Sequence, residues 1–256
     1  MAWAMAHVGK TGGFVMGRSG LPTTLVICCP LSAGMPQSTA EACLEVAGRA
    51  ALPVTWIAPL DRLQLVAGRG APKAPSQTVA LEIPANLSRQ ELRQLLTRAA
   101  TEAPGLDAAA IRGPLPAEHR RMMVDCGIRV VCRDRFDDIT RGSRRPAPQG
   151  WSCRSTLWGL WEVTQTTATP PGLVSRLLPW GSQPGLVPGS LAVLDMGGQG
   201  PVADAAAIRG RMEQWQSWAE RRSDRGQVAF ASLSELPALI AGGGRLPVAG
   251  SVLKAA

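Results

Sequence analysis

Short apolar, β-branched runs alternate along the chain with stretches of helical periodicity, and that alternation predicts β/α layering around a parallel sheet. Residues 23–29 are the first such run, closed off by Pro22 and Pro30, and read as a buried strand. Ser38 followed by Glu41 has the form of a capping box, in which each side chain satisfies an orphan backbone N–H of the first turn, and predicts a helix that runs out near Ala51. Residues 53–57 supply a second strand, residues 68–75 a Pro/Gly-rich connection and residues 78–83 a third strand. Ser88 and Glu91 form a second capping box, behind which Leu92, Leu95, Leu96 and Ala99 make one buried helical stripe. A short strand at 109–111, a helix at 116–126 and a strand at 128–132 continue the pattern.

The second half is less regular. Residues 141–149 are basic and Pro-rich and predict a surface loop, 157–164 a strand, and 170–188 irregular structure. Residues 191–194 are a strand, and a Gly-rich turn leads to a helix over 204–222. In that helix Ile208, Met212, Trp215 and Ala219 recur at 4-3-4 spacing, so Trp215 and Trp218 are expected in the core rather than on a ligand platform. Residues 228–231 form the last strand, and Ser232 with Glu235 a third capping box. The expected organisation is a flexible leader over 1–22, one domain over 23–241 and a loose tail over 242–256.

No apolar run approaches the length of about 20 residues that crosses a bilayer, and residues 1–20 lack the basic region and apolar core of a secretory signal, so a cytoplasmic location is expected. The net charge is +8, with 24 of 27 basic residues arginine. Such a surface would attract anionic glycans, nucleic acid, membrane lipid or another acidic partner through long-range Coulomb forces, but no basic run is interleaved with aromatics, so a solvated surface is the expected reading and nucleic acid is not the expected ligand. The six cysteines contain no C-x-x-C pair and read as reduced, buried thiols. Adjacent Cys28 and Cys29 end the first strand, where neighbouring side chains point to opposite faces and do not easily reach one metal ion.

The order of these pieces over residues 23–241 resembles the polysaccharide deacetylase (NodB-like) family. Leu25-Val26-Ile27-Cys28-Cys29 and Leu52-Pro53-Val54-Thr55-Trp56-Ile57 are similar to its first two strands. Cys126-Gly127-Ile128-Arg129-Val130-Val131 is similar to a later segment. Gly189-Ser190-Leu191-Ala192-Val193-Leu194, Arg225-Gly226-Gln227-Val228-Ala229-Phe230 and Ser232-Leu233-Ser234-Glu235-Leu236 are similar to its C-terminal strand-helix-strand. The resemblance implies an irregular (β/α) barrel of the glycoside hydrolase/deacetylase type with parallel strands. It also implies where chemistry would sit. The family's two strand-end aspartates, a base and a metal ligand, fall on Cys28 and Cys29, and its His-x-x-x-His pair falls on residues 82–87, which hold no histidine. Its Arg-Pro-Pro motif is echoed by Arg112-Gly113-Pro114, and its Leu-His by Leu194-Asp195.

Metal-assisted amide hydrolysis needs an ion to polarise the carbonyl and acidify bound water, with His, Asp or Glu ligands and a nearby base and acid. The chain has two histidines, His7 in the leader and His119 among arginines on a helix, where a solvated surface position is expected. The family's divalent metal, and any other cofactor, is therefore expected to be absent. Cys28, Cys29, Arg112 and Asp195 are left as candidates for a vestigial pocket at the strand ends, and a thiol nucleophile at Cys29 would need a base that the sequence does not name. The expected function is a non-hydrolytic, deacetylase-like pseudoenzyme that binds carbohydrate or serves as an accessory partner. One alternative is an active hydrolase of carbon-nitrogen (non-peptide) bonds with altered site residues. Another is a nucleotide- or nucleic-acid-binding protein. The latter draws on Gly198-Gln199-Gly200-Pro201-Val202-Ala203, where Pro201 removes a backbone donor, and on a phosphate-loop-like run from Ala4 to Thr11 with no strand before it. The sequence does not fix the oligomeric state.

Overall fold

In the computed structural model, the described residues are 22–49, 53–67, 77–111, 113–133, 153–165, 189–195 and 220–242, with 206, 210, 213, 217 and 218. Nine strands form one sheet: β1 (Thr23–Pro30), β2 (Val54–Ala58), β3 (Gln77–Ile83), β4 (Ala108–Ile111), β5 (Val130–Arg133), β6 (Cys153–Ser155), β7 (Trp161–Thr164), β8 (Leu191–Asp195) and β9 (Val228–Phe230). Helices α1 (Gln37–Arg49), α2 (Leu63–Ala67), α3 (Arg89–Glu102), α4 (Ala117–Asp125) and α5 (Leu236–Gly242) accompany it. The strand order is β6-β7-β5-β4-β3-β2-β1-β8, and every pairing is parallel except β6 with β7. The sheet curls into a nearly closed barrel.

β1 is the hub of this barrel because one of its edges serves two partners. Thr23 N–H donates to the Gln227 carbonyl at 2.8 Å, Ala231 N–H donates to the Leu25 carbonyl, and Leu31 N–H donates to the Ile57 carbonyl at 2.7 Å. The first half of that edge thus holds β9 and the second half β2, while the opposite edge carries β8 from Thr24 to Cys28.

The alternation of side chains along each strand sorts the core into two clusters. Leu25, Ile27, Cys29 and Leu31 join Trp56, Leu81, Ile83 and the helix residues Leu44, Leu92, Leu96 and Met123 in an outer layer. Val26 and Cys28 join Ile57, Ala80, Ala110, Cys132, Val163 and Val193 inside the barrel. Small residues dominate this interior, so the narrow barrel is filled by side chains rather than hollow.

The α3 capping box forms as expected: Ser88 Oγ accepts from Glu91 N–H at 3.3 Å and Glu91 Oε2 accepts from Ser88 N–H at 2.8 Å. Leu92, Leu96 and Ala99 are buried and Leu95 packs at the margin. The other two boxes differ. α1 begins two residues earlier than expected, after Pro36, whose carbonyl accepts from Ala40 N–H, so Ser38 lies inside the helix. At residue 232 only half a box forms: Glu235 Oε2 accepts from Ser232 N–H at 2.7 Å, while the buried Ser232 hydroxyl has no hydrogen-bond partner among the described residues and α5 starts only at Leu236.

The single strand expected over 157–164 is two elements, a 3-10 turn at Leu157–Gly159 and then β7. The break is at Trp158, whose φ of 66° is left-handed and incompatible with a strand. The short antiparallel β6 and the helical segment at 60–67 carried no signal in the sequence. Trp218 is buried in the outer layer as expected, with the Arg222 guanidinium 4.9 Å from its ring centroid. Trp215, the loops expected at 141–149 and 170–188, and the segments 1–20 and 243–256 lie outside the described residues.

Candidate active site at the barrel mouth

In a parallel β/α barrel, chemistry belongs at the C-terminal ends of the strands, where successive loops converge. Cys28 and Asp195 meet there, as register partners across β1 and β8. Cys28 is fully buried among Val26, Ile57 and Val193 on the interior face. Cys29 faces the other way, in register with Trp56 and packed in the outer layer under the helices at 1% exposure. The two adjacent thiols therefore do not line one mouth, since strand alternation separates them by the thickness of the sheet. Arg112 lies outside the described residues, as do residues 198–203.

The sequence reading missed Glu82 as a site candidate. It sits at the end of β3 on the same alternation as interior-facing Ala80, pairs in register with Ala110 and is half-buried. A polar residue closing an otherwise apolar strand was the available signal. Further round the barrel the interior positions at this level are Ala110, Cys132 and Val163, one rung of register partners, followed by the buried Gln165.

These residues do not fit a hydrolytic divalent ion. Such an ion takes three converging ligands. Among the described residues no three His, Cys, Asp or Glu side chains group closely enough to supply them. His119 cannot help, because it is on α4 and buried against the outer layer. The solvated position expected for it is corrected by spacing: His119 falls on the same stripe as Met122 and Met123, which face the sheet.

The interior does show one strongly displaced titration. Cys153 on β6 packs in the same interior cluster as Cys132, and burial, with a smaller contribution from the charge of Cys132, pushes its thiol up to about 12. No disulfide joins any of the six cysteines, and only Cys126 is partly exposed. In the unfolded chain a cysteine ionises near 9.0, so the unfolded state loses its proton first as pH rises. The stability that Cys153 contributes is complete below that value and declines as pH climbs towards about 12. Urea unfolding at pH 8 and at pH 10.5 should therefore show an alkaline loss of stability that Cys153→Ala reduces. An alkaline limb unchanged in the variant would show that Cys153 does not titrate in this way.

No protein-family model and no curated protein matches the sequence. Solved structures do. A protein from Mycobacterium smegmatis assigned as a polysaccharide deacetylase aligns at TM-score 0.52 and 14% identity, over 91% of this chain and 95% of that one. One from Bordetella bronchiseptica, assigned as a polysaccharide deacetylase involved in O-antigen biosynthesis, aligns at TM-score 0.47 and 15% identity over 85% and 90% of the two chains. A CE4 family pseudoenzyme from Bacillus anthracis aligns at 0.45 and 12% over 85% and 66%. The first of these establishes the fold: the chain has the β/α barrel of the polysaccharide deacetylases.

Proposed function

We propose that the protein is a non-hydrolytic member of the deacetylase-like barrels, acting by binding carbohydrate or by supporting a partner rather than by cleaving an N-acetyl group. The observation that carries this reading is the position of Cys28. Where a hydrolytic barrel needs an ionised, solvent-reachable base or metal ligand at the end of its first strand, this chain has a thiol with 0% exposure, packed among aliphatic side chains. A water molecule activated at that point would have no room beside it. The neighbouring residues supply a single carboxylate and no cluster of ligands among the described residues: Cys29 is turned into the outer layer, and the interior rung is Glu82, Ala110, Cys132 and Val163.

The test is metal content and acetate release measured on the same purified protein. Expected are sub-stoichiometric divalent metal and no release of acetate from chitooligosaccharides above a buffer blank. Stoichiometric zinc, together with acetate release abolished by Asp195→Ala, would overturn the reading in favour of a hydrolase with altered ligands. That outcome would place its chemistry on Asp195 at the end of β8.

A further inference from the structure

From the groove between α3 and α4 on the outer face of the barrel, we infer that this face is a binding site for an acidic glycan whose sugar ring stacks on Trp158. The inference rests on the carbohydrate reading proposed above and names the class of sugar and the place it binds. The groove encloses about 560 Å³ and is lined by Arg89, Arg93, Glu118, Arg121, Asp125 and Trp158. Trp158 is the most exposed large apolar side chain among the described residues, at 47%. Its backbone is left-handed, a conformation that bulky residues rarely adopt and that persists where surrounding structure imposes it. Thr156 N–H and Oγ1 both donate to the Leu160 carbonyl, at 2.7 and 2.9 Å, which clamps the turn carrying Trp158. An indole held open to solvent on a clamped turn offers an apolar face to the C–H side of a pyranose at small entropic cost.

The charges around the ring choose the ligand. Arg89 and Arg93 are one helical turn apart on α3, on the same face, and both are exposed. Among the described residues the ion pairs on the exposed faces of α3 and α4 are Arg98 with Glu102 and Arg121 with Asp125, each at 4.0 Å, and Arg89 and Arg93 belong to neither. Two planar guanidiniums that point into a groove suit a carboxylate, which each can bind through paired N–H donors. Glu118 and Asp125 argue against a polyphosphate chain, because two carboxylates in the same groove would repel its closely spaced charges. The same carboxylates accept hydrogen bonds from sugar hydroxyls. A hydroxyl-rich ring with one carboxylate per residue or per disaccharide, as in a uronic-acid polymer, satisfies both sets of groups. A nucleic acid suits the arginines and the indole but brings its closely spaced phosphates up against Glu118 and Asp125.

Calorimetric titration of the whole protein with oligogalacturonate, hyaluronan and heparosan fragments tests this, with the methyl-esterified oligogalacturonate and oligo-dT as controls. Binding of at least one acidic glycan is expected, about tenfold weaker after Trp158→Ala and retained in Trp158→Phe. Arg89→Gln with Arg93→Gln should erase the preference for acid over ester. Because glycine adopts the left-handed backbone freely, Trp158→Gly should keep or raise the melting temperature while losing the glycan, which separates loss of a binder from loss of the fold. No binding by any of the three acidic glycans, equal affinity in Trp158→Ala, or tighter binding of oligo-dT than of the glycans would overturn the inference. Acetate release reads the barrel mouth and glycan titration reads the outer groove, so either reading can fail while the other stands.

Discussion

Replacing Trp56 with alanine is expected to destabilise the fold by about 4 kcal/mol, seen as a lowered denaturant midpoint with an unchanged slope. Trp56→Phe, which keeps a ring, is expected to cost about 1 kcal/mol. All five residues of β2 are buried, and Trp56 at its centre has 0% exposure. Its ring lies in the outer layer beside Cys29, its register partner on β1, and its indole N–H donates to Gln77 Oε1 at 3.2 Å. Strands held about 4.8 Å apart by their hydrogen bonds cannot close over the void left by an indole, so lost contacts add to the lost transfer energy. Gln77 is only half-buried, so water replaces the indole donor and the smaller penalty for phenylalanine follows. Against a typical total of 5–15 kcal/mol, the alanine variant leaves a marginal protein. A loss under about 2 kcal/mol for Trp56→Ala would mean that β2 is held by its ladder rather than by this packing.

The elements legible in the sequence are those whose signals are local. β1 is a β-branched apolar run between two prolines, and α3 announces itself by Ser88, Glu91 and an apolar stripe. The parallel order and barrel closure follow from alternation and from the resemblance at both ends of the chain, and β1 does sit between β2 and β8. What was not legible depends on contacts across distance. β6 has three residues, Cys153, Arg154 and Ser155, with no pattern of their own, and is a strand only because β7 pairs with it. Trp158 breaks its expected strand through a backbone conformation that its residue type disfavours. At the candidate site, strand alternation gives the opposed faces of Cys28 and Cys29 directly, whereas the pairing of Cys28 with Asp195 spans most of the chain and needs the sheet register.

The strongest of these long-range contacts predicts the second large effect: Glu162→Ala should cost about 3 kcal/mol, while Glu162→Leu combined with Arg120→Leu should recover half or more of that loss. Glu162 is on β7 at 3% exposure, on the face opposite interior Val163. Arg120 of α4, 42 positions away, donates its Nε–H to Glu162 Oε1 at 2.6 Å, and Arg133 Nη1 on β5 is 3.9 Å from Oε2. Removing the carboxylate leaves two guanidiniums facing each other over a largely dry surface. Their side chains are still 25% and 22% exposed and can turn towards water, which keeps the cost at the low end for a broken buried pair. The double leucine variant removes one charge with its partner and fills the space with apolar atoms, and Arg133 keeps its contact with the Gly113 carbonyl at 3.5 Å. Burial also makes the loss insensitive to salt, unlike that of the exposed Arg98–Glu102 pair, whose removal should cost under about 1 kcal/mol and vanish in 1 M NaCl. A double-variant loss equal to the single-variant loss would overturn this, since the pair itself, and not the stranded charge, would then supply the stability. A single-variant loss larger than the double's assigns the cost to the guanidiniums stranded between α4 and β7 without their carboxylate, and a double variant close to the parent protein shows the pair to be neutral against apolar packing.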